Sequence, residues 1–175
     1  MNAVISLVPI PPERLHELAG LTQYAGQYAN DGAVMIRDDT PELSFHAIID
    51  RERGLAGMFK LDPLYPERHD FAHPTDLGLR GMLVDSAFQG LGIGGAVMAA
   101  LPAYAGALYP EKQRLVLTVN LLNPIAYRTY RGAGFRDEGQ IYSGGSRGPQ
   151  HILWADLRPP ERPTCSEKSS SPRSG

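Results

Sequence analysis

The sequence predicts a mixed α+β fold, in which one sheet of about seven strands is covered by about four helices. The order of the predicted elements supports this class, because it runs strand, one or two helices, three strands, helix, strand, helix and two strands. Such an order lacks the regular βαβ repeat of a doubly wound sheet. The composition supports one globular domain, since 42% of the 175 residues are hydrophobic and 21% are charged.

The N-terminal region is predicted to contain one strand and one or two helices. Residues 3–8 alternate weakly between apolar and polar side chains, which is typical of a strand. Either Pro11 or Pro12 is suited to the first position of a helix that would bury Leu15 and Leu18. A second helical stretch is expected over residues 23–29.

The rest of the folded region divides into strands and helices around one proline-rich loop. Residues 62–76 contain three prolines and are expected to form that loop, and residues 51–54 are expected to form a hairpin turn. Strands are predicted over residues 43–50, 55–60, 77–84, 114–119, 140–143 and 151–157, and helices over residues 94–109 and 124–133.

The chain is expected to divide into a folded domain, residues 1–157, and a disordered tail, residues 158–175. The tail is rich in Pro and Ser and poor in apolar residues, so it offers little to bury. The single cysteine, Cys165, lies in this tail and cannot form an internal disulfide. This cysteine usage fits a reducing compartment and predicts a cytoplasmic protein. A catalytic role for Cys165 is disfavoured, because the tail offers neither a partner base nor a pocket.

The charge pattern argues against nucleic acid and membrane as partners. The net charge is -2, and no run of Lys and Arg marks a basic face. Residues 86–110 carry no charge and are long enough to raise the question of a membrane helix. Glycines, Gln89 and Pro102 within this stretch favour a buried helix preceded by a glycine loop instead. We also expect no metal site.

A glycine-rich turn between a predicted strand and a predicted helix carries the first functional signal. The strand, residues 77–84, leads into Gln89-Gly90-Leu91-Gly92-Ile93-Gly94-Gly95, after which the helix begins. Glycine permits positive φ and close approach of a ligand to the backbone, and N–H groups at a helix N-terminus bind phosphate. Composition alone leaves open a turn that merely begins a helix, since a lone glycine cluster is a weak signal.

The same turn also matches the dinucleotide-binding pattern as Gly90-x-Gly92-x-x-Gly95. Two observations oppose that interpretation. The first glycine does not follow the strand directly, and Glu111 stands before the next strand, whereas the pattern requires an acidic residue at that strand's end. A dinucleotide-dependent oxidoreductase is therefore the less favoured alternative.

A second motif follows the next predicted strand. Asn123 is a good N-cap, Pro124 a good first helical residue, and Gly134 suits the left-handed position after the helix. Ala126 and Tyr130 are spaced to share one helix face.

The two motifs together resemble the GNAT superfamily of N-acetyltransferases. Those motifs are Gln89-x-x-Gly92-x-Gly94 and Asn123-x-x-Ala126-x-x-x-Tyr130-x-x-x-Gly134-Phe135, separated by one helix and one strand. The resemblance covers residues 77–135 well and matches the rest in element order only. It implies a mostly antiparallel sheet of about seven strands, splayed at the cofactor site, with acetyl-CoA as co-substrate.

The resemblance also implies roles for individual residues. Main-chain groups of Met82 and Val84 would bond the pantetheine arm, Asn123 would contact the cofactor near its pantetheine end, and Tyr130 would protonate the departing CoA thiolate. The pyrophosphate would be held by main-chain N–H groups of Gln89, Gly90, Leu91, Gly92, Ile93, Gly94 and Gly95. Without the resemblance, Asn123 is a helix cap and Tyr130 a packed aromatic.

These observations predict an N-acetyltransferase that moves an acetyl group to a primary amine by direct attack in a ternary complex. No acyl-enzyme is expected, because the folded region lacks a cysteine. A non-catalytic acyl-CoA-binding module remains an alternative. The general base stays open among His46, His73, Asp76, His151 and water.

The acceptor is expected to be a small-molecule or peptide amine. Tyr28, Tyr142 and His151 are the predicted lining of its site, and residues 144–149 are a loop that would close over it. A homodimer is a possible assembly of the chain.

Overall fold

A computed structural model describes residues 3–25 and 27–157 of the chain. They contain one seven-stranded sheet in the order β1-β2-β3-β4-β5-β7-β6. The strands are β1 Ile5–Ile10, β2 Ser44–Asp50, β3 Gly54–Asp62, β4 Asp76–Val84, β5 Arg114–Asn120, β6 Arg136–Tyr142 and β7 Gln150–Asp156. All neighbours pair antiparallel except β4 and β5, which are parallel. The predicted mixed α+β class is confirmed. The predicted tail, residues 158–175, lies outside the described residues.

Four α-helices accompany the sheet. They are α1 Gly32–Met35, α2 Tyr65–Arg68, α3 Ile93–Leu108 and α4 Pro124–Gly132, with short 3₁₀ helices at Pro12–Leu18 and Ser86–Phe88. α2 begins within the expected proline-rich loop, and β6 begins earlier than the predicted strand. None of the helices in the described ranges is long and apolar enough to cross a bilayer.

The predicted helix over residues 23–29 is wrong. The described residues of this segment form no regular secondary structure and contain one turn and one bend. A helix this short gains little from its own hydrogen bonds, so tertiary contacts decide its conformation. The N–H of Gln23 donates to the Asp31 carboxylate at 2.8 Å, and the Gln27 side chain bonds the main chain of Val84.

The long helix α3 covers one face of the sheet. Its buried side chains Ile93, Val97, Met98 and Leu101 pack in one core with strand residues such as Leu77, Leu115 and Leu153. Gly106 lets the helix approach the end of the sheet, since a Cβ there would lie 2.6 Å from the Leu157 carbonyl oxygen. The opposite face is covered in part by the first 3₁₀ helix and α1, through a second core that includes Leu18, Leu21, Met35, Met58 and Leu83.

The sheet opens between its two parallel strands. β4 and β5 pair only through Asp76–Gly78 and Arg114–Val116, and beyond these residues the strands separate. β4 also carries one extra residue opposite β3, where the register shifts between the Met58–Leu83 and Lys60–Arg80 pairs. Gly81 has a φ of 59° at this bulge, a value that glycine adopts without strain. The bulge bends β4, and the free half of the strand borders a cleft.

Candidate active site

The opening between β4 and β5 forms a cleft of about 520 Å³. The two strands supply its walls, α4 and the glycine-rich loop supply one side, and the segments around residues 24–30 and 146–150 supply the other. The lining residues are Tyr24, Ala25, Gln27, Tyr28, Ala29, Asn30, Gly81, Met82, Val84, Gln89, Gly94, Thr118, Val119, Asn120, Asn123, Ile125, Ala126, Thr129, Tyr130, Ser146, Arg147 and Gln150.

The end of β4 presents to this cleft main-chain groups that are not paired with β5. The N–H of Asp85 donates to the Ala56 carbonyl on β3 at 2.8 Å, and strand alternation turns the N–H and C=O of Val84 to the other edge. There the Gln27 side-chain amide bonds both groups: its Nε2 donates to the Val84 oxygen at 2.8 Å, and the Val84 N–H donates to its Oε1 at 3.4 Å. The edge of β4 therefore recognises an amide.

The glycine-rich loop presents a second set of main-chain donors. Gly90 and Gly92 have φ values of 77° and 74°, and a Cβ at either position would meet open space. Positive φ, rather than crowding, is therefore what requires glycine here. Within the described parts of the chain, no acceptor bonds the N–H groups of residues 90–95. These donors and the N-terminus of the sixteen-residue helix α3 form an anion-binding arrangement.

The carboxylate of Asp85 holds the chain just before this loop. It accepts hydrogen bonds from the N–H of Ala87 at 2.9 Å and from the N–H of Thr22 at 2.8 Å. The Ser86 N–H also donates to the Thr22 carbonyl at 2.8 Å. These bonds join the loop to the N-terminal segment that lines the opposite side of the cleft.

Helix α4 places a tyrosine in the cleft. Asn123 caps the helix, because its Oδ1 accepts from the Ala126 N–H at 3.2 Å, and Pro124 follows as the first helical residue. Tyr130 lies on the inner face of α4, partly buried. Loss of solvent raises the pKa of its phenol to about 12, and Tyr24 on the facing segment adds to the shift. The phenol keeps its proton at neutral pH, as a tyrosine of ordinary pKa also does, and the raised pKa makes it a weaker acid.

Five of the ten residues expected around a cofactor line the cleft, together with the expected catalytic residue and one of the three residues expected around an acceptor. Met82, Val84, Gln89, Gly94, Asn123, Tyr130 and Tyr28 line it. Gly90, Leu91, Gly92, Ile93 and Gly95 lie in the loop that borders it without lining it. Tyr28 is anchored by a hydrogen bond from its hydroxyl to the Leu122 carbonyl at 3.3 Å.

Tyr142 and His151 do not line the cleft, which corrects the predicted acceptor site. Tyr142 packs against Phe71 and belongs to a separate surface depression. The His151 ring stacks on Tyr127 at 4.4 Å between centroids, with Nδ1 3.5 Å from the Asp137 carboxylate. The register of β7 explains this placement, because Gln150, opposite Asn120, lines the cleft in place of His151.

None of the four side chains considered as general base lines the cleft. His46 is buried between Ser44 and Tyr104, and burial lowers its pKa to about 4. The buried Asp76 carboxylate accepts two hydrogen bonds from the Arg114 guanidinium, each at 2.8 Å between nitrogen and oxygen. No Asp, Glu or His is among the lining residues. Residues 3–25 and 27–157 also contain no cluster of His, Cys, Asp or Glu that could hold a metal ion.

Two side chains that line the cleft, Gln27 and Arg147, were not among the predicted site residues. Gln27 lies in a segment that reads as helical, and its contact with Val84 spans more than fifty residues of chain. Arg147 lies in the loop over residues 144–149 that was expected to close over the acceptor, and its guanidinium bridges to the Tyr28 carbonyl at 3.2 Å.

Comparison with known proteins identifies the architecture. A family model described as the acetyltransferase (GNAT) family matches residues 12–135. No curated protein sequence is significantly similar to the chain. Among solved structures, aminoglycoside acetyltransferase AAC(6')-Ib in complex with coenzyme A and kanamycin is similar with a TM-score of 0.68 and 16% identity, over 87% of this chain and 95% of that one.

Polyamine-acetylating structures share the fold as well. A spermidine N-acetyltransferase SpeG chimera from Vibrio cholerae and hSSAT has a TM-score of 0.65 at 12% identity, covering 87% of this chain and 95% of that one. A dodecameric spermidine N-acetyltransferase from Vibrio cholerae has a TM-score of 0.59 at 14% identity, covering 87% and 94%. At these identities the likeness concerns the fold.

Proposed function

Because the chain belongs to the acetyltransferase (GNAT) family and is thus an acyltransferase, we propose that it moves the acetyl group of acetyl-CoA to a primary amine by direct attack in a ternary complex. One observation carries the proposal: three features converge on the opening between β4 and β5. They are the amide-binding edge at Val84, the N–H groups of the glycine loop and the protonated phenol of Tyr130.

Binding of acetyl-CoA follows from the main chain. The pantetheine arm carries successive secondary amides, and the Val84 N–H and C=O are suited to bond two different ones, as they would bond two successive peptide groups of a neighbouring strand. The diphosphate fits the N–H groups of residues 90–95, where a helix dipole favours negative charge. Asn123, which lines the cleft at the start of α4, lies on the path between these two sites.

Acetyl transfer requires the acceptor nitrogen to attack the thioester carbonyl carbon. A C–N bond forms, the C–S bond breaks, and the leaving sulfur takes the bonding electrons. Tyr130 is the proposed general acid, which donates its phenolic proton to that sulfur and is reprotonated from solvent. The raised pKa makes the phenol a weaker acid than an ordinary tyrosine, so we place the proton transfer at C–S cleavage, when negative charge develops on the sulfur.

The amine must lose a proton, and the cleft lining contains no carboxylate or imidazole to take it. We therefore propose that solvent water takes both protons that an ammonium loses, the first before attack and the second from the nitrogen after the C–N bond forms. An amine that binds already neutral loses only the second. The rate at saturating acetyl-CoA is then expected to rise with pH toward the pKa of the free acceptor. The acceptor class is a primary amine, by likeness to the spermidine and aminoglycoside acetyltransferases of the same fold.

Two measurements on the full chain test the proposal. Thermal unfolding with acetyl-CoA, CoA, NAD and NADP should show stabilisation by the first two only, since a ligand that binds the folded state raises the melting temperature. Thiol release from acetyl-CoA is then followed over a library of primary amines. Stabilisation by acetyl-CoA without thiol release over the whole library would favour a non-catalytic acyl-CoA-binding module. Stabilisation by nicotinamide cofactors alone would favour an oxidoreductase.

A further inference from the structure

The cleft carries one charged side chain among its lining residues, and that side chain is cationic. Arg147 is this residue, and the remaining lining side chains are apolar or neutral and polar. Asp31 and Asp85 directly follow lining residues in the sequence but are not part of the lining. The Asp31 carboxylate accepts a hydrogen bond from the Gln23 N–H, and the Asp85 carboxylate accepts one from the Thr22 N–H, each at 2.8 Å. The cleft therefore offers no anionic partner to a polycation.

Hydrogen bonds fix both the main chain and the side chain of Arg147. The main-chain carbonyl of Arg147 accepts a hydrogen bond from Asn120 Nδ2 at 2.8 Å, which ties the loop to the end of β5. The guanidinium donates through NH1 to the Tyr28 carbonyl at 3.2 Å and through NH2 to Asn30 Oδ1 at 3.3 Å. These acceptors are neutral, and no carboxylate in the described ranges pairs with this guanidinium.

We propose that Arg147 is a specificity-determining residue that selects acceptor amines bearing an anionic oxygen group, a carboxylate or a phosphate, over polyamines. The inference rests on the proposed function. A guanidinium presents several N–H donors in a planar fork that matches both groups, and only part of this capacity is used in the structure. A polyamine would bring like charge to Arg147 and would leave its own distal ammonium without a partner.

The same charge arrangement affects the protonation state of the bound amine. A cation near an ammonium lowers the pKa of that ammonium, whereas a carboxylate raises it. The cleft lining adds no carboxylate of its own that would hold the amine protonated. In a selected acceptor, the anionic group pairs with Arg147, so the two opposite effects on the pKa of its ammonium offset each other.

Matched acceptors test the proposal on the full chain. β-Alanine and γ-aminobutyrate are the acceptors that carry a carboxylate. Propylamine and butylamine are their neutral counterparts, and trimethylenediamine and putrescine are their cationic counterparts. Phosphoethanolamine against ethanolamine adds the phosphate arm. We expect kcat/KM for the better anionic acceptor to exceed that of its neutral counterpart by about tenfold or more. This ratio corresponds to the free energy of a hydrogen bond to a charged group. Diamines should be the poorest acceptors.

Variants separate charge from a structural role of the loop. Arg147→Gln should remove the preference for the anionic acceptor, so that kcat/KM falls about tenfold more for γ-aminobutyrate than for butylamine. Arg147→Lys should keep part of the preference. Arg14→Gln is the matched control, because the exposed Arg14 guanidinium pairs with Glu17 outside the cleft. It should change neither the preference for anionic acceptors nor kcat/KM for butylamine. Equal losses for γ-aminobutyrate and butylamine in Arg147→Gln, or a wild-type preference for putrescine, would overturn the proposal.

Failure of the proposed function is distinguishable from failure of this inference. If diamines are acetylated best, the enzyme activity stands and the inference falls. If no amine is acetylated, calorimetric binding of γ-aminobutyrate and phosphoethanolamine to the CoA-saturated protein decides the inference independently. Binding that Arg147→Gln abolishes supports it, and absence of binding to wild type overturns it.

Discussion

The side-chain amide of Gln27 bonds both main-chain polar groups of Val84, with Nε2 2.8 Å from the carbonyl oxygen and Oε1 3.4 Å from the nitrogen. These are the main-chain groups that the pantetheine amides are proposed to bond. On this proposal the Gln27 side chain and the cofactor compete for Val84, and Gln27 must release it when the cofactor binds.

Replacing Gln27 should tighten cofactor binding. In Gln27→Ala the cofactor no longer displaces two protein hydrogen bonds, and the dissociation constant for CoA should fall by about tenfold at most. Isothermal titration calorimetry measures this constant. Gln140→Ala, the same change on exposed β6, is the matched control and should leave it unchanged. Weaker binding in Gln27→Ala would show that Gln27 contacts the cofactor instead of competing with it.

Tyr130→Phe should slow the chemical step and spare cofactor binding. Removal of a general acid costs about 100-fold or more in kcat, while the ring that packs in the cleft is retained. Tyr127→Phe is the control on the same helix, since its hydroxyl bonds the Asp137 carboxylate at 2.9 Å outside the cleft. Steady-state rates give kcat, and calorimetry gives the affinity for CoA. An unchanged kcat in Tyr130→Phe would exclude this residue as the acid.

Substitutions at Gly92 separate backbone strain from charge at the proposed diphosphate site. Gly92→Gln and Gly92→Glu both place a side chain at a φ of 74°, and each should lower the free energy of unfolding by about 1–2 kcal/mol. Only the glutamate adds a negative charge, so its affinity for CoA should be at least about tenfold weaker than that of the glutamine variant. Chemical denaturation and calorimetry measure the two effects. Equal affinities in both variants would place the diphosphate elsewhere.

His46 should make stability fall in mild acid. Burial lowers its pKa from 6.5 to about 4, so the folded state resists protonation that the unfolded state accepts. This difference adds on the order of 3 kcal/mol to the free energy of unfolding above pH 6.5, and the added stability is lost as the pH falls toward 4. Urea unfolding from pH 7.5 to 4 measures the slope, which should be shallower in His46→Gln. His73→Gln, at an exposed imidazole, should keep the wild-type slope.

Local chain patterns were enough to identify the family and one half of the cleft. Gly92 at positive φ, Asn123 as the cap of α4 and Tyr130 on its inner face all occupy the positions that spacing predicts. Their placement depends on residues a few positions away, because turns, caps and helix faces are local structures. The roles proposed for them remain predictions.

The acceptor half of the cleft depends on contacts between distant segments. Whether Gln150 or His151 faces the cleft depends on the register of β7 against β5, and a slip of one residue would exchange them. Gln27 and Arg147 reach the cleft only because Val84, Asn120 and Tyr28 bond them across the fold. Local patterns in the chain thus specify the glycine loop, α4 and the family. Which side chains line the other half of the cleft depends on the assembled sheet, since strand register and long-range hydrogen bonds arise only there.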